Sequence, residues 1–342
     1  MKKLLPVTLI LCLVVLVVQP PEAARAQPAP FITAPSAVLF DYNTNQIIYS
    51  KTPNLKRAPA STVKLLTAMV VMDHRSLGDV VRIPKGVERI EPSKINLRSG
   101  ERYSVRDLIR ATLMNSANDA AESLAIAVGG SRWQFAKLMN AKARSIGCTH
   151  SHFVMASGLP ASNQYSTAYD MALIMKEIQN YPFLVETLKI RGMSIKSMSG
   201  RSIYLKSHNR MLWRDPREVV GKTGWTRAAR YCFVGHARVA SRMVVVAMLG
   251  SNHLWTDLKK LIDFSFGGVV YYTASQTRKV VSDRRVRRLQ MALRKAGFNP
   301  GAVDGRYGRQ TRRAVKRFQR ANGLPTTGYA GTLTWKKLER YL

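Results

Sequence analysis

The sequence predicts an α+β fold in which helices cover a sheet. Three observations carry this prediction: short β-branched and apolar runs early in the chain, Ala- and Leu-rich helical patterns in its middle, and further strand-type runs after residue 218. The chain has 342 residues, enough for one sizeable domain and a small second one.

The first segment of the chain has the pattern of a secretory signal peptide. Two lysines precede an apolar run at 4–18, and an Ala-Arg-Ala sequence at 24–26 offers a cleavage site. A helix over that run spans only about 22 Å, less than the roughly 30 Å of a hydrocarbon core. We predict a signal peptide over 1–26, export to a periplasmic, secreted or wall-associated location, and no membrane span after its removal. An uncleaved anchor is the alternative.

The formal net charge of +34 predicts anionic partners. Nucleic acid is the usual partner of so basic a chain, but an exported protein does not meet it. We therefore expect cell-wall carboxylates, anionic wall polymers or lipid head groups, and no nucleic acid.

The elements of the main domain follow from local patterns. A turn sequence between 37–40 and 46–49 predicts a hairpin. Helical spacing of apolar residues predicts helices at 61–72, 105–128, 135–146 and 256–264. Strands are expected at 219–224, 230–238 and 243–249.

The composition changes near residue 276. Residues 278–342 carry 18 Lys/Arg against 3 Asp/Glu, a net charge of +15. A short internal repeat places a glycine turn before each of two helices, with a threonine as a possible cap: Asp304-Gly305, Gly308 and Thr311 recur as Thr327-Gly328, Gly331 and Thr334. We expect a compact three-helix unit with helices at 286–296, 311–321 and 333–342.

Three short motifs carry the candidate chemistry: Ser61-x-x-Lys64, Ser116-x-Asn118 and Lys222-Thr223-Gly224. Each motif is weak evidence by itself. The first is also expected from a helix-capping serine followed by a solvated lysine, and the third is also a common turn sequence. Together they indicate a nucleophile and its base.

Lys64 can reach the hydroxyl of Ser61 because residues three apart share a helix face. A serine hydroxyl needs an adjacent base, and a lysine acts as one only if its pKa falls from near 10.4 to about 7–8. Burial and a neighbouring cation, for which Lys222 is the candidate, both lower that pKa.

The three motifs resemble those of the penicillin-recognising serine peptidases. Their surroundings look like the low-molecular-mass D-alanyl-D-alanine carboxypeptidases over about residues 35–268, in the stretches 91–126, 165–170, 208–209 and 221–226. The resemblance implies an antiparallel sheet flanked by helices, as in β-lactamases and transpeptidases, within a catalytic domain at 27–275.

The resemblance also implies roles for the motif residues. Ser61 would attack the penultimate D-Ala of a peptidoglycan stem peptide, with Lys64 as general base and Ser116 as proton relay. The predicted substrate-binding residues are Asn118, Lys222, Thr223, Gly224 and Trp225, and the backbone N–H groups of Ser61 and Trp225 would form the oxyanion hole. The resemblance further implies that the enzyme needs no metal or other cofactor. It also implies that β-lactam antibiotics inhibit the enzyme covalently.

Some positions depart from the family pattern. Arg230 stands where a glycine is common, and no arginine follows Gly250 where many relatives carry one. Arg227 and Arg230 are candidates for its carboxylate-binding role, or solvated loop charges. Trp213 is assigned either to the substrate cleft or to the core.

Residues 286–338 resemble the peptidoglycan-binding module of many wall hydrolases, which implies a small C-terminal domain at 276–342. Its ligand contacts stay open, and it has no histidine for a metal site. The pair His150-x-His152 is a weak metal candidate, and Cys148 and Cys232 are either bridged or free.

The alternatives to a carboxypeptidase are a D,D-endopeptidase or a β-lactamase using the same site, and a non-catalytic peptidoglycan-binding protein. No acidic base stands in the recognisable context of class A β-lactamases. All seven motif positions are intact, which favours an enzyme.

Overall fold

The computed structural model describes residues 28–215, 217–267, 284–305, 307–328 and 330–342. The predicted signal peptide and the predicted domain boundary at 275/276 lie outside these ranges and stay predictions. Among the described helices, none has the length and apolar character needed to cross a membrane.

Nine strands are present, in chain order β1 (Ser36–Asp41), β2 (Ile47–Lys51), β3 (Val80–Arg82), β4 (Arg102–Ser104), β5 (Gly192–Lys196), β6 (Ser202–Lys206), β7 (Glu218–Thr226), β8 (Arg230–Val239) and β9 (Arg242–Ser251), within the described ranges. Five of them form one antiparallel sheet in the order β2-β1-β9-β8-β7. The predicted hairpin and the three late strands all belong to this sheet.

The helices are α1 (Lys64–His74), α2 (Val105–Met114), α3 (Asn118–Gly129), α4 (Arg132–Ile146), α5 (Ala168–Ile178), α6 (Pro182–Lys189), α7 (Met211–Arg214), α8 (Leu254–Gly267), α9 (Arg284–Lys295), α10 (Arg309–Ala321) and α11 (Thr332–Leu338). One face of the sheet packs on a large core that includes α1 to α6, and the other packs on α7 and α8. Both faces of the central strand β9 are buried, which explains its almost unbroken apolar sequence. The predicted α+β fold with helices on both sides is confirmed.

Two of the differences from the predicted boundaries bear on the candidate site. A 3₁₀ turn at Ala60–Val63 carries Ser61, and the α-helix begins only at Lys64. The long helical region predicted at 105–128 consists of two helices, separated at Ser116, whose backbone is left-handed at φ 58°. Both departures serve the candidate site described below.

The C-terminal unit has its own core of Leu289, Leu293, Val315, Phe318 and neighbours. The two copies of the internal repeat share one hydrogen-bonding pattern. Gln290 accepts from the N–H of Gly305 at 2.8 Å, and Gln319 accepts from the N–H of Gly328 at 2.8 Å.

The two repeat threonines do not cap the helices, contrary to the prediction. Each hydroxyl instead accepts from its glutamine amide, at 3.2 Å for Thr311 and 3.0 Å for Thr334. The N-cap positions are Gly308 and Gly331, without a side-chain cap.

The C-terminal unit lies against the catalytic domain at the end of α1. Tyr307 packs on the main core, and α11 approaches α1 where Gly331 faces Asp73. Asp73 is buried and held by the Nζ atom of Lys142 at 3.0 Å and by the hydroxyl of Tyr181 at 2.7 Å. The C-terminal unit therefore contacts the catalytic domain at a buried charged cluster whose side chains are held in place by their own contacts.

Both cysteines that follow the predicted signal peptide, Cys148 and Cys232, are buried free thiols. Within the described ranges, no group of three or more histidine, cysteine, aspartate or glutamate side chains could share a metal ion. The two histidines of the weak candidate bond locally instead, His150 with Thr149 and His152 with the carbonyl of Asn163.

Candidate active site

The segment before α1 holds Ser61 against two glycines. An ideal Cβ on Gly158 would lie 2.1 Å from the carbonyl oxygen of Ala60, and one on Gly224 would lie 2.9 Å from the backbone nitrogen of Ser61. Ala60 itself has a left-handed φ of 48°. Strand β7 and the loop at Gly158 therefore fix the position of the Ser61 backbone, as close approach through glycine allows.

Lys64 is fully buried and lies directly beside Ser61. Its Nζ atom is 3.0 Å from the Ser61 hydroxyl oxygen, 2.7 Å from Oδ1 of Asn118, and in hydrogen-bond contact with the carbonyl oxygen of Ser157. Burial, and next the charge of Lys222, hold the pKa of Lys64 well below its usual range, against the opposing carboxylates of Glu122 and Asp119.

A neutral Lys64 amine fits these three partners. It has two N–H donors and one lone pair. The amide oxygen of Asn118 and the carbonyl of Ser157 can only accept, so they take the two N–H groups. The lone pair then faces the Ser61 hydroxyl, the arrangement that a general base requires.

Ser116 and Lys222 meet on the other side of the same site. The left-handed backbone of Ser116 turns the chain between α2 and α3, and its hydroxyl oxygen accepts from Lys222 Nζ at 2.9 Å. Lys222 also donates to the carbonyl of Thr223 at 2.6 Å. Burial lowers the pKa of Lys222 to about 7, so its charge is easily gained or lost near neutral pH.

Strand β7 forms the edge of the five-stranded sheet and borders a cleft of about 1370 Å³. Ser61, Ser116, Asn118, Thr223, Gly224 and Trp225 all line this cleft, and Lys222 and Lys64 lie beneath it. An edge strand offers unpaired N–H and C=O groups to an extended peptide. The structure thus brings together all eight predicted catalytic and substrate-binding residues, while their roles stay predictions.

One residue that supports the site was given no role in the sequence analysis. Glu122, buried on α3, accepts from the hydroxyl of Ser157 at 2.8 Å and from Arg132 at 3.0 Å, and so aims the Ser157 carbonyl at Lys64. Its available signal is weak: it is one of two acidic residues in the Ala-rich helix α3, four positions after Asn118. His208, which lies in the stretch 208–209 that carries the family resemblance, also lines the cleft, where burial and then the two lysines lower its pKa to about 4 and keep the ring neutral.

The cleft carries more cations than the sequence analysis named. Of its two candidates for the missing arginine, Arg227 lines the cleft and Arg230 does not. Lys206, Arg210 and Arg214 also line the cleft. Trp213 is a cleft residue and not part of the core.

Both parts of the chain match known protein families. Residues 22–253 match the family described as D-alanyl-D-alanine carboxypeptidase, and residues 282–338 match a peptidoglycan binding domain. A D-alanyl-D-alanine carboxypeptidase of Mycobacterium tuberculosis is 31% identical over 72% of this chain and 86% of its own length. The D-alanyl-D-alanine endopeptidase of Escherichia coli is 35% identical over 68% of this chain and 76% of its own.

Solved structures show the same fold. The structure of a D-alanyl-D-alanine carboxypeptidase from Mycobacterium tuberculosis matches with a TM-score of 0.67 and 30% identity, over 71% of this chain and 95% of that one. The Streptomyces K15 DD-transpeptidase matches with a TM-score of 0.66 and 25% identity, over 70% of this chain and all (100%) of that one.

Proposed function

Because the chain belongs to the D-alanyl-D-alanine carboxypeptidase family of serine peptidases, we propose that Ser61 forms the acyl-enzyme through which it removes the terminal D-Ala of peptidoglycan stem peptides. One observation carries the proposal. The buried Lys64 amine has acceptor-only partners for both of its N–H groups, which leaves its lone pair for the hydroxyl 3.0 Å away.

In the acylation step, Lys64 takes the proton of the Ser61 hydroxyl, and the oxygen attacks the carbonyl carbon of the penultimate D-Ala. The backbone N–H groups of Ser61 and Trp225 stabilise the resulting oxyanion, a contribution of about 3–4 kcal/mol per donor in other enzymes. The peptide C–N bond then breaks, and the proton taken from Ser61 ends on the departing D-Ala amine.

Ser116 suits the delivery of that proton. Its oxygen accepts from Lys222, which leaves its own O–H free to donate to the leaving amine. In deacylation a water molecule gives a proton to Lys64 and attacks the ester carbonyl. The C–O bond to Ser61 breaks, and the serine recovers its proton.

The terminal carboxylate of the substrate is assigned to Lys222 and Thr223. An anion beside Lys222 favours its charged form, so substrate binding raises its pKa from about 7. Arg227 at the cleft is the proposed substitute for the arginine that many relatives carry.

A peptidoglycan-directed enzyme works outside the cytoplasm, and the C-terminal domain adds a wall-binding unit. We propose that residues 1–26 direct export and that the mature enzyme is periplasmic, secreted or wall-associated. A pull-down with insoluble peptidoglycan at low and at high salt tests the wall-binding unit. Binding that persists at high salt supports recognition, whereas complete loss would indicate charge attraction alone.

The mechanism is tested by mass spectrometry with benzylpenicillin, which should add covalently to Ser61 of the mature protein. Ser61→Ala should abolish both the adduct and D-Ala release from a pentapeptide. Continued D-Ala release by this variant would remove Ser61 from the mechanism.

A D,D-endopeptidase activity is the second candidate. The 35% identical relative from Escherichia coli is named an endopeptidase, and the cleft has room beyond a single D-Ala. Product analysis on purified muropeptides separates the two activities. Loss of one D-Ala from monomers indicates a carboxypeptidase, and conversion of cross-linked dimers to monomers indicates an endopeptidase.

A further inference from the structure

The cleft has a wall of aromatic side chains that have no role in the proposed chemistry. Trp213, Trp225 and Tyr231 line it with 45%, 56% and 44% of their surface exposed, and Trp255 completes the set. We call these four residues the aromatic shelf. Large aromatic side chains left open in one concave region usually mark a ligand contact.

The aromatic shelf lies on the opposite side of β7 from the nucleophile. Trp225 pairs directly with Tyr231 of β8, with ring centroids 6.3 Å apart, so both side chains lie on one face of the sheet. Lys222 and Gly224 alternate with Trp225 and face the other way, toward Ser116 and Ser61.

Helices α7 and α8 supply the rest of the aromatic shelf. Trp213 belongs to α7, which packs on β7, and Trp255 lies in the first turn of α8 and packs on the core of that face. The cleft is continuous over the β7 edge, so a ligand can reach both sides at once.

The surroundings of the aromatic shelf define the ligand chemistry. Arg210, Arg214, Asn252 and His253 line the same cleft and offer side-chain hydrogen-bonding groups. A pyranose ring presents an apolar C–H face to an aromatic ring, and hydroxyl and acetamido groups to polar neighbours. The end of a D-alanine stem offers only methyl groups and a carboxylate, which the catalytic face already accommodates.

We propose that the aromatic shelf binds N-acetylated sugar units of the peptidoglycan glycan strand, so that the enzyme recognises a stem peptide together with its saccharide. This inference rests on the proposed peptidoglycan activity. The concave shape favours a strand that enters the cleft over a bilayer surface, which would need a convex or flat patch.

The test compares kcat/KM on a free pentapeptide with kcat/KM on the same pentapeptide linked to its disaccharide, in the full-length mature protein. The wild type should prefer the linked substrate. Trp213→Ala and Tyr231→Ala should each lower that preference ratio roughly three- to tenfold, as expected for losing one aromatic stacking contact.

Trp133→Ala is the matched control. Trp133 is 63% exposed, lies at the start of α4 under the Nζ atom of Lys137, and does not line the cleft. Its loss should leave the ratio unchanged. In addition, chitotriose should inhibit the wild type and should inhibit the Trp213→Ala variant less.

Three results would overturn the inference: a wild type without preference for the linked substrate, equal ratios in the aromatic-shelf variants and the control, or loss of vesicle binding to phosphatidylglycerol in the aromatic-shelf variants with the ratio unchanged. Failure of the proposed function looks different, because the wild type would then release no D-Ala from the free pentapeptide.

Discussion

Gly331→Ala should separate the C-terminal unit from the catalytic domain. An ideal Cβ at this position lies 1.8 Å from Oδ1 of Asp73 and 2.2 Å from its Cγ. Gly308 is the repeat-related glycine, and a Cβ there meets nothing within 4 Å. Both glycines are helix N-caps with φ near −74° and −82°, so alanine costs the same backbone energy at each.

The size of the effect follows from what holds Asp73. Its carboxylate cannot retreat without leaving Lys142 at 3.0 Å and the Tyr181 hydroxyl at 2.7 Å, all of them buried. Breaking a buried ion pair costs about 3–5 kcal/mol. Lifting the C-terminal unit away costs only the interface, so undocking is the expected outcome if the interface contributes less than about 3 kcal/mol.

Small-angle scattering and thermal unfolding distinguish undocking of the C-terminal unit from displacement of the Asp73 carboxylate. Undocking should increase the radius of gyration of Gly331→Ala and leave D-Ala release from a free pentapeptide intact, whereas a displaced Asp73 should lower the melting temperature of the catalytic domain. Gly308→Ala should resemble the wild type in both measurements. If the two variants behave alike, the contact between Asp73 and Gly331 does not form in solution and the reasoning fails.

Three further predictions concern the catalytic domain. The value of kcat/KM should rise with pH as Lys64 loses its proton and fall above about pH 7 as Lys222 loses its own. The alkaline fall of kcat should lie at higher pH than that of kcat/KM, because a bound carboxylate raises the pKa of Lys222. Alkaline falls at the same pH in both profiles would contradict this assignment. Gly158→Ala should slow acylation by benzylpenicillin roughly 100-fold by pushing the nucleophile's backbone. Gly147→Ala has a similar φ but open space and should acylate normally, so equal rates would contradict the steric argument. Arg230→Gly should stabilise the fold by about 1 kcal/mol, seen as a higher melting temperature, because it relieves a left-handed φ of 60°; an unchanged melting temperature would argue against strain there.

Periodicity and motif spacing predicted the sheet, most helices and the motif residues of the site. They did not predict the break at Ser116, because the Ala- and Leu-rich stretches on either side favour a helix and outweigh the weak helix formers Asn115, Asn118 and Asp119 next to it. Its left-handed backbone accompanies a tertiary contact with Lys222, 106 residues away in the chain, which no local pattern records. The same limit explains why Glu122 was missed.

The third partner of Lys64 was out of reach for a different reason. It is the backbone carbonyl of Ser157, and any residue supplies such a group. Only the fold decides which carbonyl arrives at the lysine. The pattern of side chains therefore predicted candidate reacting groups, but not the backbone partner that favours a neutral Lys64.

Side chains along β7 point alternately to the two faces of the sheet, so replacements on one face and on the other have different consequences. Replacing Trp225 would change what the cleft accepts on one face, while Lys222 and Gly224 belong to the proposed catalytic face on the other. Inserting or deleting one residue there would swap the two sets and destroy both at once. Relatives should therefore diversify on this strand by point replacement and preserve its length.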